Sequence, residues 1–398
     1  MLIHWIWYAT LPNVSMRQKL ELLKHFSDPE EIFNTQTFAD FPQIPTPIGK
    51  ALENKDLTLA RAVVKGCAEK RVGILTMADA GYPSKLKNIA DPPLVLYYKG
   101  VLPDFEGQPV IGVVGTRKAS AYGMNVARVI SREISACGGL VVSGGAGGID
   151  TAALQSASSA GSQTVAILGC GVNVVYPKTN RELFSKIAKN GCLMSEYLPD
   201  SEPKPWQFPE RNRIISGLSN GVLVVEAPAQ SGALITARDA FEQGRDVFAV
   251  PGNVGVAACA GSNGLISDYA TAVLCGWDIL KVYASQYPDA VKKADPEKPN
   301  FSRQRLAETV IFPDLQEPEK KIAIDNPTAN AYSDLEYNNL TPQEEAVLRQ
   351  LDFNPIPVDR LIAQTGLPAA EALRILTALA LKGMVVNHPG RLVSANYR

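Results

Sequence analysis

Two glycine-rich turns that could bind phosphate each stand between a predicted strand and a predicted helix. The first follows an apolar, β-branched run and contains Gly115, Thr116, Arg117 and Lys118. The second follows another apolar run and opens with Ser143, Gly144 and Gly145. Glycine lets backbone N–H groups approach a ligand closely, and the N-terminus of a helix carries partial positive charge. With the guanidinium of Arg117 beside them, the two turns predict an anion site.

Three further stretches place polar groups that suit phosphate oxygens after a strand or at the start of a helix. They contribute Lys178 and Asn180, then Arg211, Asn212 and Arg213, and finally Ser231, Gly232 and Thr236. Arginine forks and hydroxyl groups both bind phosphate well. One arginine of such a close pair is more often a buried structural link than a ligand contact, and the structural role is favoured for Arg211 more than for Arg213.

Groups that could perform catalysis are few. The histidines all lie outside the predicted sheet domain, at His4, His25 and His388. No Ser-His or Cys-His dyad and no histidine-rich metal cluster is therefore expected at the sheet edge. Three acids near that edge could form an acid/base pair: Asp150, Glu196 and Glu226. Asp150 directly follows the glycine turn, so we expect it to cap a helix or orient an arginine. The sequence predicts binding without catalysis, metal or cofactor.

Two common nucleotide-binding fingerprints are missing. The dinucleotide fingerprint needs G-x-G-x-x-G between a strand and a helix, whereas residues 112–117 read G-V-V-G-T-R. A second glycine pair at 169–171 follows a predicted strand but opens no helix. The Walker pattern G-x-x-x-x-G-K-[ST] does not occur either. The sequence therefore indicates neither a dinucleotide-dependent enzyme nor a nucleoside triphosphatase.

Strands at βα intervals must position these turns. Six apolar runs, with helical patterns between most of them, predict a doubly wound, mainly parallel α/β sheet over about 106–283. The runs are 110–114, 140–143, 163–168, 192–196, 221–226 and 246–250. Parallel strands place their carboxyl ends at one edge, where ligands bind in such sheets. A further strand at 94–98 is expected to join the edge of this sheet.

Five ordered motifs closely resemble those of the bacterial DNA-processing protein A family, also called DprA or Smf. They are V-V-G-T-R at 113–117, S-G-G-A-G-G-I-D at 143–150, G-C-G at 169–171 with Y-P-K-T-N at 176–180, P-E-R-N-R-I-I at 209–215 and S-G-A-L-I-T-A at 231–237. The resemblance covers the whole sheet domain. It implies an extended Rossmann-like fold that dimerises, usually behind a small helical domain similar to sterile alpha motif (SAM) domains.

The function that this resemblance implies is single-stranded-DNA binding without catalysis. Such a protein protects incoming DNA and loads the RecA recombinase onto it during natural transformation. By the same resemblance, Arg117 and Lys178 would grip the DNA backbone. Ser143, Gly144, Arg213 and the turn at 231–232 would complete the pocket.

The 398 residues exceed one ordinary core and predict several domains. We expect a SAM-like helical domain at 1–72, the Rossmann-like domain at 73–283, a linker at 284–339 and a winged-helix domain at 340–398. The linker is rich in proline and charge, and a capping box at 341–344 begins the last domain. Its presumed recognition helix offers only Arg374 and Lys382 as cations, so a protein contact is at least as plausible as duplex binding.

Composition limits the cellular setting and the kind of binding surface. A net charge of −1 gives no global signature of nucleic-acid binding, so such binding must rest on a local basic patch. Six cysteines without a C-x-x-C pair indicate a reducing compartment. The apolar first ten residues lack a basic flank, and they predict neither a signal peptide nor a membrane span. We expect a cytoplasmic protein.

Two other functions remain open from the sequence. One is a nucleoside-monophosphate phosphoribohydrolase of the lysine-decarboxylase-like group, whose glycine turns are similar. That group's P-G-G-x-G-T motif is missing, because residues 227–233 read A-P-A-Q-S-G-A. The other is a regulator that uses its winged helix on duplex DNA.

Overall fold

The computed structural model describes residues 1–38, 41, 44–292, 340–348, 350–351, 356–382, 384–388 and 392–395. Two compact units divide the chain, Met1–Pro313 and Asp314–Arg398. Most of the predicted linker lies outside the described residues. Among the described residues, no helix combines the length and the apolar character that crossing a bilayer requires.

Five helices begin the first unit, as the short helical patterns predict. They are α1 (Leu2–Thr10), α2 (Met16–Leu22), α3 (Pro29–Asn34), α4 (Thr46–Leu52) and α5 (Thr58–Glu69). Ser15 and Gln18 form a capping box on α2, and Asp28 caps α3 with proline at the first helical position. Trp5, Ile6, Trp7 and Tyr8 of α1 are buried in a core that also includes Tyr97 of the sheet.

The sheet contains every strand that the sequence predicts and two short ones besides. Its strands are β1 (Gly73–Thr76), β2 (Val95–Gly100), β3 (Val110–Val114), β4 (Leu140–Ser143), β5 (Thr164–Ile167), β6 (Cys192–Ser195), β7 (Gly221–Val224), β8 (Asp246–Ala249) and β9 (Thr271–Ala272). The strand order is β1-β2-β6-β5-β4-β3-β7-β8-β9. The seven strands from β3 to β9 are parallel, and the predicted edge strand β2 pairs antiparallel with β6.

Helices cover both faces of this sheet. They are α6 (Ser84–Lys87), α7 (Ala121–Ala136), α8 (Ile149–Ser159), α9 (Arg181–Asn190), α10 (Gln207–Leu218), α11 (Ala233–Glu242), α12 (Ala260–Asp268) and α13 (Gly276–Leu280). Tyr287 and Val291 pack into the core beside α7 and α13, so the packed unit continues past the predicted boundary at 283. The chain runs from β3 outward through β4 to β6 and then returns to β7 on the other side of β3. The order therefore reverses between β3 and β7, which is where ligands bind in such sheets.

The second unit has the predicted winged-helix arrangement. Its elements are α14 (Pro342–Leu348), β10 (Ile356–Pro357), α15 (Val358–Thr365), α16 (Ala369–Leu381), β11 (Val385–His388) and β12 (Leu392–Ala395). The three strands pair in the order β10-β12-β11. The capping box is present, because the backbone N–H of Thr341 donates to Glu344 at 2.8 Å. The ammonium of Lys382 binds the Glu344 carboxylate at 2.9 Å, so this cation of the presumed recognition helix already has an internal partner.

Candidate nucleic-acid interface

The two glycine-rich turns of the sequence analysis are in direct contact. The backbone N–H of Ile149, at the start of α8, donates to the carbonyl of Thr116 at 3.3 Å. Gly148 has a φ of +76°, and a Cβ added there would lie 2.4 Å from the same carbonyl oxygen. Only glycine allows this approach of the two backbones. The turn after β3 and the turn after β4 therefore form one surface.

The turn after β5 is tied to the same surface by Asn180. This buried side chain donates to the carbonyl of Gly145 at 3.0 Å and to the hydroxyl of Thr151 at 2.8 Å. Asn180 thus holds the preceding Tyr-Pro segment beside the glycine turn, while Lys178 is exposed to solvent. The sequence predicted Asn180 as a ligand contact, but the structure uses its amide as an internal brace.

Arg117 and Phe208 lie at the centre of the surface and line two adjoining cavities. The guanidinium of Arg117 sits 5.3 Å from the centre of the Phe208 ring, and the centre of the Tyr176 ring lies 5.4 Å from that of Phe208. The smaller cavity, of about 120 Å³, is bounded by Gly144, Gly145 and Tyr176. The larger, of about 390 Å³, lies at the reversal of the strand order and includes Thr116, Lys118, Asn212, Ser231, Gly232 and Thr236 in its lining.

Arg211 and Asp150 form a buried pair in the wall of the larger cavity. The Arg211 guanidinium donates to the carbonyl oxygens of Gly144 and Ile167. Asp150 accepts from the N–H of Ala146 at 3.3 Å. Burial raises the pKa of the Asp150 carboxyl to about 6, and the attraction of Arg211 opposes that rise. Arg211 thus has the structural role that the sequence favoured, since it binds two backbone carbonyls, and the Asp150 carboxylate lies beside it on the N–H of Ala146.

Arg213 and Ser143 are also engaged inside the protein. Arg213 binds Asp91 and Glu196, each at 2.7 Å, and its side chain is only 14% exposed. These two carboxylates raise the pKa of Arg213 against the effect of burial. Ser143 is fully buried, and its hydroxyl donates to the carbonyl of Val113 at 2.6 Å. In the described part of the chain, neither residue lines either cavity.

The start of α11 forms the far wall of the larger cavity. The Ser231 hydroxyl accepts from the N–H of Ala233 at 3.3 Å, and Gly232 is exposed. Thr236 is 1% exposed and lies at the cavity floor. The Asn212 side chain makes two long hydrogen bonds of 3.4 Å: its amide donates to the Gly232 carbonyl, and its oxygen accepts from Nε of Arg211.

Sequence reasoning missed the aromatic side chains of this surface. It identified no aromatic binding residues at the sheet edge, yet the rings of Tyr176 and Phe208 lie together there beside Arg117. Each of them directly precedes a proline, Pro177 and Pro209, and both prolines line a cavity. These two aromatic-proline pairs, each in a segment between a strand and a helix or at the start of that helix, were the sequence signal that could have predicted aromatic rings at this surface.

A search of protein-family models matches residues 73–284 to the DNA recombination-mediator protein A family. The chain belongs to this family. The DprA winged-helix domain model matches residues 333–391, in the unit where the structure has its three-helix, three-stranded arrangement. The predicted resemblance and fold class are both confirmed.

Relatives match over much of the chain. Protein Smf of Synechocystis is 35% identical over 327 residues, which cover 81% of this chain and 80% of Smf. DNA processing protein DprA of Bacillus subtilis is 40% identical over 219 residues, covering 55% and 74%. The X-ray structure of DprA from Streptococcus pneumoniae superposes with a TM-score of 0.59 at 31% identity and covers 71% of this chain and 98% of that chain.

A second similar structure is that of a relative for which single-stranded DNA binding has been reported. DNA processing protein A from Helicobacter pylori, reported for its single-stranded DNA binding mode, superposes with a TM-score of 0.50 at 27% identity. The match covers 55% of this chain and 97% of that chain.

Proposed function

We propose that this DprA-family protein binds single-stranded DNA along the carboxyl edge of its sheet, protects incoming DNA and loads RecA onto it during natural transformation. The observation that carries the proposal is the continuous surface of exposed cations and aromatic rings across β5, β4, β3 and β7. Arg117, Lys118 and Lys178 supply the positive charge, and Tyr176 and Phe208 supply the rings. Membership of the family and the single-stranded DNA binding mode reported for the Helicobacter pylori relative support the choice of ligand.

The cationic and the aromatic side chains would bind different parts of the strand. Exposed cations attract phosphates without regard to sequence, which makes the affinity depend on salt. Aromatic rings stack on bases and contribute roughly 1–3 kcal/mol for each base. The larger cavity, about 390 Å³, falls within the roughly 300–1,000 Å³ typical of small-ligand sites, so it has room for one base of the strand.

The proposed contact set follows from exposure and from the lining of the cavities. It comprises Gly115, Thr116, Arg117, Lys118, Gly144, Gly145, Lys178, Asn212, Ser231, Gly232 and Thr236, together with Tyr176 and Phe208. Ser143, Asn180, Arg211 and Arg213 support this set from behind through the internal contacts described above.

RecA loading is tested by the rate of RecA filament assembly on a single-stranded oligonucleotide. We expect the purified full chain to accelerate assembly at concentrations that saturate the strand. A protein that binds the strand tightly but leaves the rate unchanged would contradict the loading role and retain the binding role.

We place the protein in the cytoplasm and propose that it is not an enzyme. The carboxylate in the wall of the larger cavity, Asp150, is buried and accepts a hydrogen bond from the glycine turn at Ala146. Release of adenine from AMP by the purified protein would contradict this and favour the phosphoribohydrolase alternative.

We propose a homodimer through an apolar patch at the β9 edge of the sheet. Phe241 is 59% exposed and stacks on Tyr269 with ring centres 4.6 Å apart. Leu274, which follows β9 in the chain, is 53% exposed, and the two residues of β9 are exposed as well. Exposed apolar side chains beside an open sheet edge are typical of an interface.

Phe241→Asp should convert this dimer to a monomer, because it places a charge in the centre of the patch. Analytical ultracentrifugation of the full chain measures the change. Leu59→Asp, at an exposed leucine of α5, is the matched control and should stay dimeric. A monomeric wild type, or a dimeric Phe241→Asp variant, would contradict the assignment.

A further inference from the structure

The glycine turn after β4 already holds an anion that belongs to the protein. The carboxylate of Asp150 accepts a hydrogen bond from the backbone N–H of Ala146 and lies against Gly144, where an added Cβ would be 2.6 Å from its Oδ2. Turn amides of this kind bind phosphate in other proteins. The strand's phosphates must therefore bind outside this position, at the exposed cations, while Asp150 remains in the wall of the same cavity.

The charges that face Asp150 come from two neighbouring elements. Arg211 of α10 is buried beside it, and a Cβ added at Gly144 would lie 2.6 Å from both side chains. Arg117, from the turn after β3, is the second cation that acts on the carboxylate. Burial raises the pKa of Asp150 to about 6, and both guanidiniums oppose this rise. Cys170, near Arg211, stays protonated at neutral pH, because burial raises the pKa of its thiol to about 11.

The two guanidiniums differ in their freedom to move. Arg211 is 3% exposed and is fixed by two backbone carbonyls. Arg117 is exposed, and its only described contact is with the face of the Phe208 ring. A phosphate would attract Arg117 rather than Arg211. Asp150 would then lose part of its compensating positive charge and gain a negative neighbour.

We propose that Asp150 takes up a proton when a DNA strand occupies the larger cavity, so that binding strengthens as the pH falls from 8 to 6. This inference rests on the proposed DNA-binding function and adds a titrating group to it. The direction follows from linkage, since the complex holds more protons than the free protein and proton uptake favours the complex at lower pH.

The number of protons taken up and the change in affinity both follow from how far binding moves the pKa of Asp150. If occupancy moves the pKa of Asp150 from about 6 to about 7, uptake at pH 7 is about 0.4 proton and affinity rises about fivefold between pH 8 and pH 6. The histidines do not confuse this signal. His4 lies in α1 and His25 follows α2, both outside the described lining of the two cavities, and His388 belongs to the other unit.

Isothermal titration calorimetry of the full chain with an oligothymidine tests the inference. Titrations at pH 7 in two buffers of different ionisation enthalpy give the number of protons taken up. We expect about 0.4 for the wild type. We expect none for Asp150→Asn, which keeps the shape of the side chain and cannot titrate. Lys118→Ala is the comparison variant, and it should bind more weakly while taking up protons as the wild type does.

The outcomes separate a failure of the proposed role of Asp150 from a failure of strand binding itself. Wild-type uptake near zero, or uptake that persists in Asp150→Asn, overturns the role of Asp150 and leaves strand binding intact. Absence of any strand binding overturns the proposed function itself, together with this inference. If Asp150→Asn does not fold, wild-type uptake that is greatest between pH 6 and pH 7 supports the inference, and uptake near zero overturns it.

Discussion

Arg117→Ala is expected to weaken single-stranded DNA binding about 10- to 100-fold. The exposed guanidinium of Arg117 lines both cavities and lies against the Phe208 ring. In the proposed interface it would therefore bind a phosphate and also support the ring on which a base stacks. A hydrogen bond to a charged group contributes roughly 1.5–3 kcal/mol, which corresponds to this range of affinity. The truncation also removes the cation–π contact with Phe208.

Fluorescence anisotropy of a labelled oligothymidine across a salt series measures both the affinity and its dependence on salt. The slope of log affinity against log salt should fall by about 0.7 for the lost phosphate contact. Arg132→Ala, at an exposed arginine on α7, is the matched control, since it removes the same charge away from both cavities. Equal affinities and slopes for Arg117→Ala and Arg132→Ala would remove Arg117 from the interface.

Arg211→Met is expected to lower the free energy of unfolding by about 3–5 kcal/mol, because it leaves a buried carboxylate without its partner. Asp150 is 6% exposed and Arg211 is 3% exposed, so water cannot replace the lost cation. The carbonyls of Gly144 and Ile167 also lose their donor. The cost should be larger at pH 8 than at pH 5, because Asp150 becomes neutral in the folded state as the pH falls.

Denaturant unfolding of the variant at both pH values checks this expectation. The double variant Asp150→Asn with Arg211→Met separates the lost attraction from simple loss of packing, since it carries no unpaired charge. It should be more stable than Arg211→Met alone at pH 8. If the double variant is less stable than either single variant, the pair does not act through charge compensation.

The meeting of the glycine turns could be predicted from the sequence because strand spacing determines it. Two buried runs separated by one helix are neighbours in a parallel sheet, and their carboxyl ends share an edge. Thr116 and Gly148 therefore had to come close. The strand at 94–98 could be placed beside the parallel strands because it lies outside the repeating βα pattern, but β1, which pairs with β2 and forms the edge of the sheet, was not predicted.

The roles of the two arginines could not be read from their positions. Arg211 and Arg213 are two residues apart on α10 and so point in different directions. One side chain reaches carbonyls after β4 and β5, and the other reaches Asp91, far earlier in the chain. Which direction faces the cavity depends on how α10 packs on the sheet, and the spacing alone does not contain that information.

The aromatic platform was missed for a related reason. Tyr176 belongs to the loop after β5, whereas Phe208 lies in the first turn of α10, far along the chain. Their rings meet because Asn180 holds the first loop against the glycine turn while Phe208 lies in the first turn of α10. A contact between a loop residue and a residue at the start of a distant helix has no periodic signature in the sequence.

Photo-crosslinking tests most directly whether the strand lies on this surface. The full chain is bound to an oligonucleotide carrying 4-thiothymidine, irradiated, digested and analysed by mass spectrometry. We predict adducts on Tyr176, on Phe208 and within residues 116–118, and their loss when unlabelled oligothymidine competes. Adducts confined to residues 1–72 or to residues 340–398 would show that the strand binds elsewhere and would contradict the account.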